Sequence, residues 1–134
     1  MYRRSLLAAA LVAFPLLAIA GCAQTAAPAP RTLVVFFTAD SAALDSPAQA
    51  AIQQAAEAVR ANPAAIAHIR GFAAPDAGSD AFNKSLSQTR AQAVADALTV
   101  AGVPTARIRM ESRGAVAYDL MPTESRRVEI VIGA

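Results

Sequence analysis

The 134-residue sequence has no tryptophan, one histidine and one cysteine, and only 16% of its residues are charged. Each scarcity removes a class of function. A single cysteine cannot close a disulfide within the chain. The one histidine, His68, lies between Ile66 and Ile69 and reads as a half-exposed strand residue rather than a catalytic base. A nucleophile such as Ser85 or Ser87 would need such a base, and no His, Cys, Asp or Glu spacing suits a metal. No phosphate-binding glycine loop is present. The expectation is a protein without catalytic activity, cofactor or metal.

What is present begins with a leader. Tyr2-Arg3-Arg4 precede an apolar run from Leu6 to Ala20, and Gly21-Cys22 follow. A positive start, a short apolar stretch and small residues at its end describe a secretory signal peptide. The run is short for a membrane span, which needs about 20 apolar residues, and Pro15 interrupts it. The lone cysteine stands where this leader ends, and Ile19-Ala20-Gly21-Cys22 resembles the lipobox of bacterial lipoproteins. The resemblance implies cleavage after residue 21 and lipidation of Cys22, so that acyl chains tether the mature protein to a membrane. Ala23 is not the aspartate that tends to retain lipoproteins in the inner membrane. The expected location is therefore the outer membrane, with the folded part in the periplasm. Lysine and arginine total 12 against 10 aspartate and glutamate, and Arg3 and Arg4 make up the difference. A near-neutral mature chain is no case for nucleic acid.

Residues 22–31 continue as an Ala/Pro-rich tether, and one domain is expected over 32–134. Thr32 to Thr38, β-branched and aromatic, reads as a strand buried on both faces. Ser46-Pro47-Ala48-Gln49 has the form of a capping box and opens a helix that stops at Asn62-Pro63, with Ile52, Ala55 and Val59 inward. A second strand runs from Ile66 to Phe72, and residues 73–78 are loop by composition. Ser79 can cap a second helix, which ends at Gly102. A half-exposed strand over Arg107–Ser112, a loop over Gly114–Thr123 and an alternating strand over Arg127–Ile132 complete the chain. The order is β-α-β-α-β-β, an α+β fold with two helices packed on one face of a mixed sheet.

The second helix raises a specific question. At about 100° per residue, Phe82, Leu86, Ala93, Val94, Ala97 and Ala101 share one side, with Arg90 near its middle and Asn83 beside it. A guanidinium in an apolar stripe is costly unless something anionic meets it. Asp40 and Asp76 are the internal candidates; a bound anion is the external one.

Four segments at matching spacings resemble the OmpA-like domain, a peptidoglycan-binding module of envelope proteins. They are Phe37 with Asp40-Ser41-Ala42 and Leu44; Gly78 through Phe82-Asn83, Leu86-Ser87, Arg90-Ala91 and Val94; Ala101-Gly102-Val103-Pro104 with Arg107-Ile108; and Arg126-Arg127-Val128-Glu129-Ile130. The resemblance runs from about Leu33 to Ile132. It implies that Arg90 binds the carboxylate of diaminopimelate in the peptidoglycan stem peptide, as a planar fork can. It implies a site near Phe37 and Thr38, with Asn83 tying down the loop and one of the last arginines, Arg126, near the groove. The alternative for Phe37 is plain core, and for Arg126 a solvated strand end. The sequence departs from the family at Gly71-Phe72-Ala73-Ala74, where a histidine and the amine-gripping aspartate are expected, and its loop to Gly78 is one residue longer. Asp76 either takes the missing carboxylate's part or is an ordinary loop residue. Peptidoglycan, an outer membrane reached through the lipid anchor and other envelope proteins are the expected partners. The alternative is a retained fold with weakened wall binding that serves as an envelope protein-interaction module.

Overall fold

The computed structural model describes residues 28–134. The leader and Cys22 lie outside the described residues. Four strands form one sheet: β1 (Arg31–Phe36), β2 (Ile66–Ala73), β3 (Ile108–Ala115) and β4 (Arg127–Gly133). Two helices, α1 (Ser46–Ala61) and α2 (Asp80–Val100), follow β1 and β2 respectively. Among the described residues no helix is long and apolar enough to cross a membrane.

The strand order is β1-β4-β2-β3. The last strand enters between the first two and pairs antiparallel with both, while β2 and β3 run parallel. The parallel pair needs a crossover long enough to reverse the chain, and α2 supplies it. The expected α+β architecture is the one found, with both helices on one face. The inward rows Val35, Val128-Ile130-Ile132 and Ala67-Ile69 meet Ile52, Ala55, Val59, Val94 and Leu98 in a single core. Among the described residues, every member of that core lies between residues 33 and 132.

Two places fix how close the helices sit. A Cβ added at Gly71 would lie 2.0 Å from the Ser87 carbonyl oxygen, so only glycine lets α2 rest on β2 at this spacing. Ser87 secures the contact: its hydroxyl lies 2.8 Å from Lys84 O, which accepts from it, and accepts from Gly114 N at 3.0 Å, joining α2 to β3.

Three local expectations are corrected. β1 is not buried on both faces: the helices cover one face of the sheet, so Val35 is buried while Val34 and Phe36 stay exposed on the other. A run of apolar residues cannot by itself say how many faces of a strand are covered. The cap of α1 is Asp45, whose Oδ1 accepts from Ala48 N at 2.8 Å, and not Ser46, which is the first helical residue. The inward face of α2 is rotated from the expected one: Phe82 is exposed, and Ser87, Ala91, Ala95 and Leu98 are buried with Leu86 and Val94. A polar serine packed on a glycine does not register as an apolar position. Beyond these, β3 runs on to Ala115 past the expected stop. Ser79 caps α2 as expected, accepting from Phe82 N at 3.2 Å.

Candidate binding site

β1, β2 and β3 finish at one end of the sheet, where β4 and α2 begin. The chain enters β1 at the opposite end. The connections at the first end bring together Thr38–Ser41, the turn Pro75–Ala77 and the turn Pro122–Ser125. Every expected site residue that lies within the described segment is gathered there.

Arg90 is the organising group. Its side chain is wholly buried, at 0% exposure. Nε donates to Ser41 O at 2.8 Å, Nη2 to Thr38 O at 3.0 Å and Nη1 to Phe72 O at 3.2 Å. Its guanidinium carbon stands 5.2 Å from the centre of the Phe37 ring, an arrangement that favours a cation over the ring face. Neither Asp40 nor Asp76 comes within ion-pair distance of it. The expected anionic partner is thus not an internal carboxylate: three backbone carbonyls meet the guanidinium instead. Burial lowers the Arg90 proton affinity below the ordinary arginine range, nearby Arg126 adds to that effect and Asp40 opposes it. The loop that Arg90 grips includes Asp40 at φ 52°, a left-handed conformation that aspartate tolerates better than most side chains.

The open part of the site is a different pair. Arg126 Nη2 lies 3.4 Å from Asp76 Oδ2. The two side chains are 20% and 46% exposed respectively, so both reach solvent. Arg126 ends the Pro122–Ser125 turn and Asp76 sits in the turn before α2, held above a fully buried Ala74. Ala74 brings no charge to the site, whereas Asp76, two residues on, presents its carboxylate to a cation. Asn83 is buried; its Nδ2 donates to Gly78 O at 3.2 Å, tying the turn to α2, and its Oδ1 has no partner. Phe37 is core, 4% exposed, and Thr38 is exposed while its carbonyl serves Arg90.

Glu124 was not singled out from the sequence. Its carboxylate accepts from three successive backbone amides, those of Asp119 at 3.0 Å and of Leu120 and Met121 at 3.1 Å. These bonds, Asp119's first, hold its pKa below the ordinary glutamate value. The signal available was an acid three residues after Met121 across a proline, which is weak on its own. Among the described residues, no three His, Cys, Asp or Glu side chains cluster as metal ligands would.

A sheet with two helices on one face and a helix-borne arginine at its strand ends agrees with the family assignment from the sequence. The chain belongs to the OmpA family, whose model matches residues 36–128. Its fold is similar to the crystal structure of the peptidoglycan-associated lipoprotein from Burkholderia pseudomallei, at 29% identity and a TM-score of 0.69, over 75% of this chain and 89% of that one. It is also similar in fold to the OmpA-like domain of FopA1 from Francisella tularensis, at 23% identity and a TM-score of 0.70, covering 78% of this chain and 73% of that one. The periplasmic domain of Helicobacter pylori MotB shares the fold at 22% identity and a TM-score of 0.64, over 77% and 73% of the two chains. No curated relative matches the chain by sequence.

Proposed function

We propose that this protein is a lipid-anchored envelope module that binds peptidoglycan non-covalently through a diaminopimelate-bearing stem peptide and tethers an outer membrane to the wall. Family membership and the likeness to a peptidoglycan-associated lipoprotein support the binding class. The observation that carries the reading is the solvent-facing Asp76–Arg126 pair. An exposed ion pair contributes about 0–1 kcal/mol to stability, so stability gives little reason for it. A diaminopimelate side chain ends in an ammonium and a carboxylate on one carbon. Such a zwitterion fits between the two residues, its ammonium on Asp76 and its carboxylate on Arg126, replacing one ion pair by two charge-assisted contacts. Arg90 works from beneath: it fixes the Thr38–Ser41 loop and adds positive potential behind the ligand carboxylate.

The polarity of the domain agrees with anchoring. The chain enters β1 at the end of the sheet opposite the site, so a membrane tether at Cys22 leaves the site facing away from the membrane. The test is co-sedimentation of a soluble chain beginning at residue 24, which retains the whole core, with purified sacculi. Wild type is expected to pellet, free diaminopimelate to compete, and Asp76→Ala and Arg126→Ala to remain largely in the supernatant while melting normally. Wild type that stays in the supernatant overturns wall binding. Anchoring is read separately, by incorporation of a palmitate analogue into the full-length protein and its loss in Cys22→Ser.

A further inference from the structure

The loop between β3 and β4 holds large apolar side chains out in solvent and is rigidly built, a combination that the stem-peptide site does not use. Leu120 is 89% exposed, Met121 56% and Tyr118 36%. Exposed groups of this size on a floppy loop would be unremarkable, but here the backbone beneath them is pinned. The Glu124 carboxylate gathers the amides of residues 119–121. Ser125 Oγ donates to Ala117 O at 3.1 Å, and Val116 N donates to Ala73 O at 3.0 Å. The last of these bonds attaches the start of the loop to the end of β2, from which the Asp76 turn leaves. The far end of the loop runs into Arg126 itself. The loop that carries these side chains is therefore tied at its start to the strand that leads into the Asp76 turn and runs at its end into Arg126.

We infer that Tyr118, Leu120 and Met121 form a second contact surface for the wall polymer, packing against the uncharged N-acetylated sugar rings from which the stem peptide branches. The inference rests on the stem-peptide reading above. Sugar rings of this class present flat C–H faces and acetamido methyl groups, which suit an aromatic face and two aliphatic side chains. Their hydroxyl and amide groups suit the Tyr118 hydroxyl and the Asp119 carboxylate at the rim. A membrane is the wrong occupant, because the ridge lies at the end of the sheet opposite the chain's entry. A ligand whose peptide end is held at Asp76 and Arg126 brings its glycan end to a neighbouring surface of the same domain without further ordering of the loop.

Tyr118 is the only tyrosine after residue 2, and the chain has no tryptophan, so the intrinsic fluorescence of a soluble chain beginning at residue 24 reports on this loop alone. That chain is titrated by calorimetry and by tyrosine fluorescence with a disaccharide–tripeptide carrying diaminopimelate, and with the free tripeptide. The expected result is about tenfold tighter binding of the disaccharide form, and a tyrosine emission change that the free tripeptide does not produce. Tyr118→Ala and Leu120→Ser should erase the tenfold advantage and leave tripeptide affinity unchanged, which also shows that the variants are folded. Equal affinity of wild type for the two ligands overturns the glycan surface and leaves the stem-peptide site standing. Binding of neither ligand overturns both. A concentration-dependent dimer that Leu120→Ser abolishes assigns the ridge to a second copy and overturns the inference as well.

Discussion

Two arginines at opposite ends of the sheet do the same hydrogen-bonding work with different results. Arg107, at the end where the chain enters, donates through Nε to Ala65 O at 2.9 Å and through Nη2 to Val59 O at 2.6 Å and to Asn62 O. Val59 and Asn62 are at the exit of α1, so this guanidinium satisfies carbonyls that a helix terminus leaves free, and its charge complements the helix dipole. Arg60 does the like for α2, donating to Ala101 O. Arg90 also engages three carbonyls, but they belong to a loop and a strand end rather than to a helix terminus. It is wholly enclosed, and a second arginine, Arg126, lies near enough to disfavour its charge. One end of the sheet is closed off by its cation. At the other end a buried cation braces a loop beside an open ion pair.

The sharpest way to break this comparison is to remove each cation in turn. Arg90→Ala empties the space of a wholly buried side chain and leaves three carbonyls, one of them buried, without their donor; it should destabilise the domain by about 3–5 kcal/mol, read as a loss of denaturant midpoint. Arg107→Ala, at a half-buried side chain, should cost about 1–2 kcal/mol by the same measurement. Equal losses would mean that the two ends are built alike. Arg90→Lys should recover little of the Arg90→Ala loss, because an ammonium cannot reach three divergent carbonyls.

Gly71→Ala tests whether the site end depends on the α2 spacing. The added methyl collides with Ser87 O, so a cost of about 1–3 kcal/mol is expected, together with weakened amide protection at Gly114 where Ser87 accepts. An unchanged melting temperature would show that α2 can slide, and that the site geometry is softer than drawn.

Acid sharpens the comparison within the site end. Glu124 has a folded pKa below its unfolded value of about 4.3, so its contribution is fully present above that pH and is lost as pH falls through the folded pKa. The protection of the Asp119, Leu120 and Met121 amides, taken relative to their intrinsic exchange at each pH, should fall on acidification through that window while protection in α1 does not. Glu124→Gln should show the lowered protection already at neutral pH. The smallest stability effect belongs to the open pair: Asp76→Ala should shift folding by no more than about 0.5 kcal/mol in a denaturant titration, since exposed pairs contribute little. A large shift would make the pair structural and remove the main support for the proposed ligand.

Much of this architecture could be read from local pattern. The cap at Ser79, the stop at Asn62-Pro63 and the alternation of Val128, Ile130 and Ile132 each depend on residues within a few positions of one another, and each stands in the structure as expected. The burial of Arg90 on its helix was legible in the same way. What Arg90 meets was not. Thr38 O and Ser41 O come from about 50 residues away, and a backbone carbonyl carries no side-chain signature. The outward Asp76–Arg126 pair was hidden for the same reason, because its members, also 50 positions apart, meet only through the turns before α2 and β4. The exposure of Phe36 followed from both helices packing on the other face of the sheet.

The sequence by itself determined the order of elements, the inward rows of α1 and β4, and the family, because periodicity, capping and motif spacing are local properties of a chain. Only the tertiary structure decided that Arg90 braces a loop from within and that Asp76 and Arg126 share the open surface. Those outcomes depend on which carbonyls and charges the fold brings within about 3 Å, and that is set by packing between segments far apart in the chain.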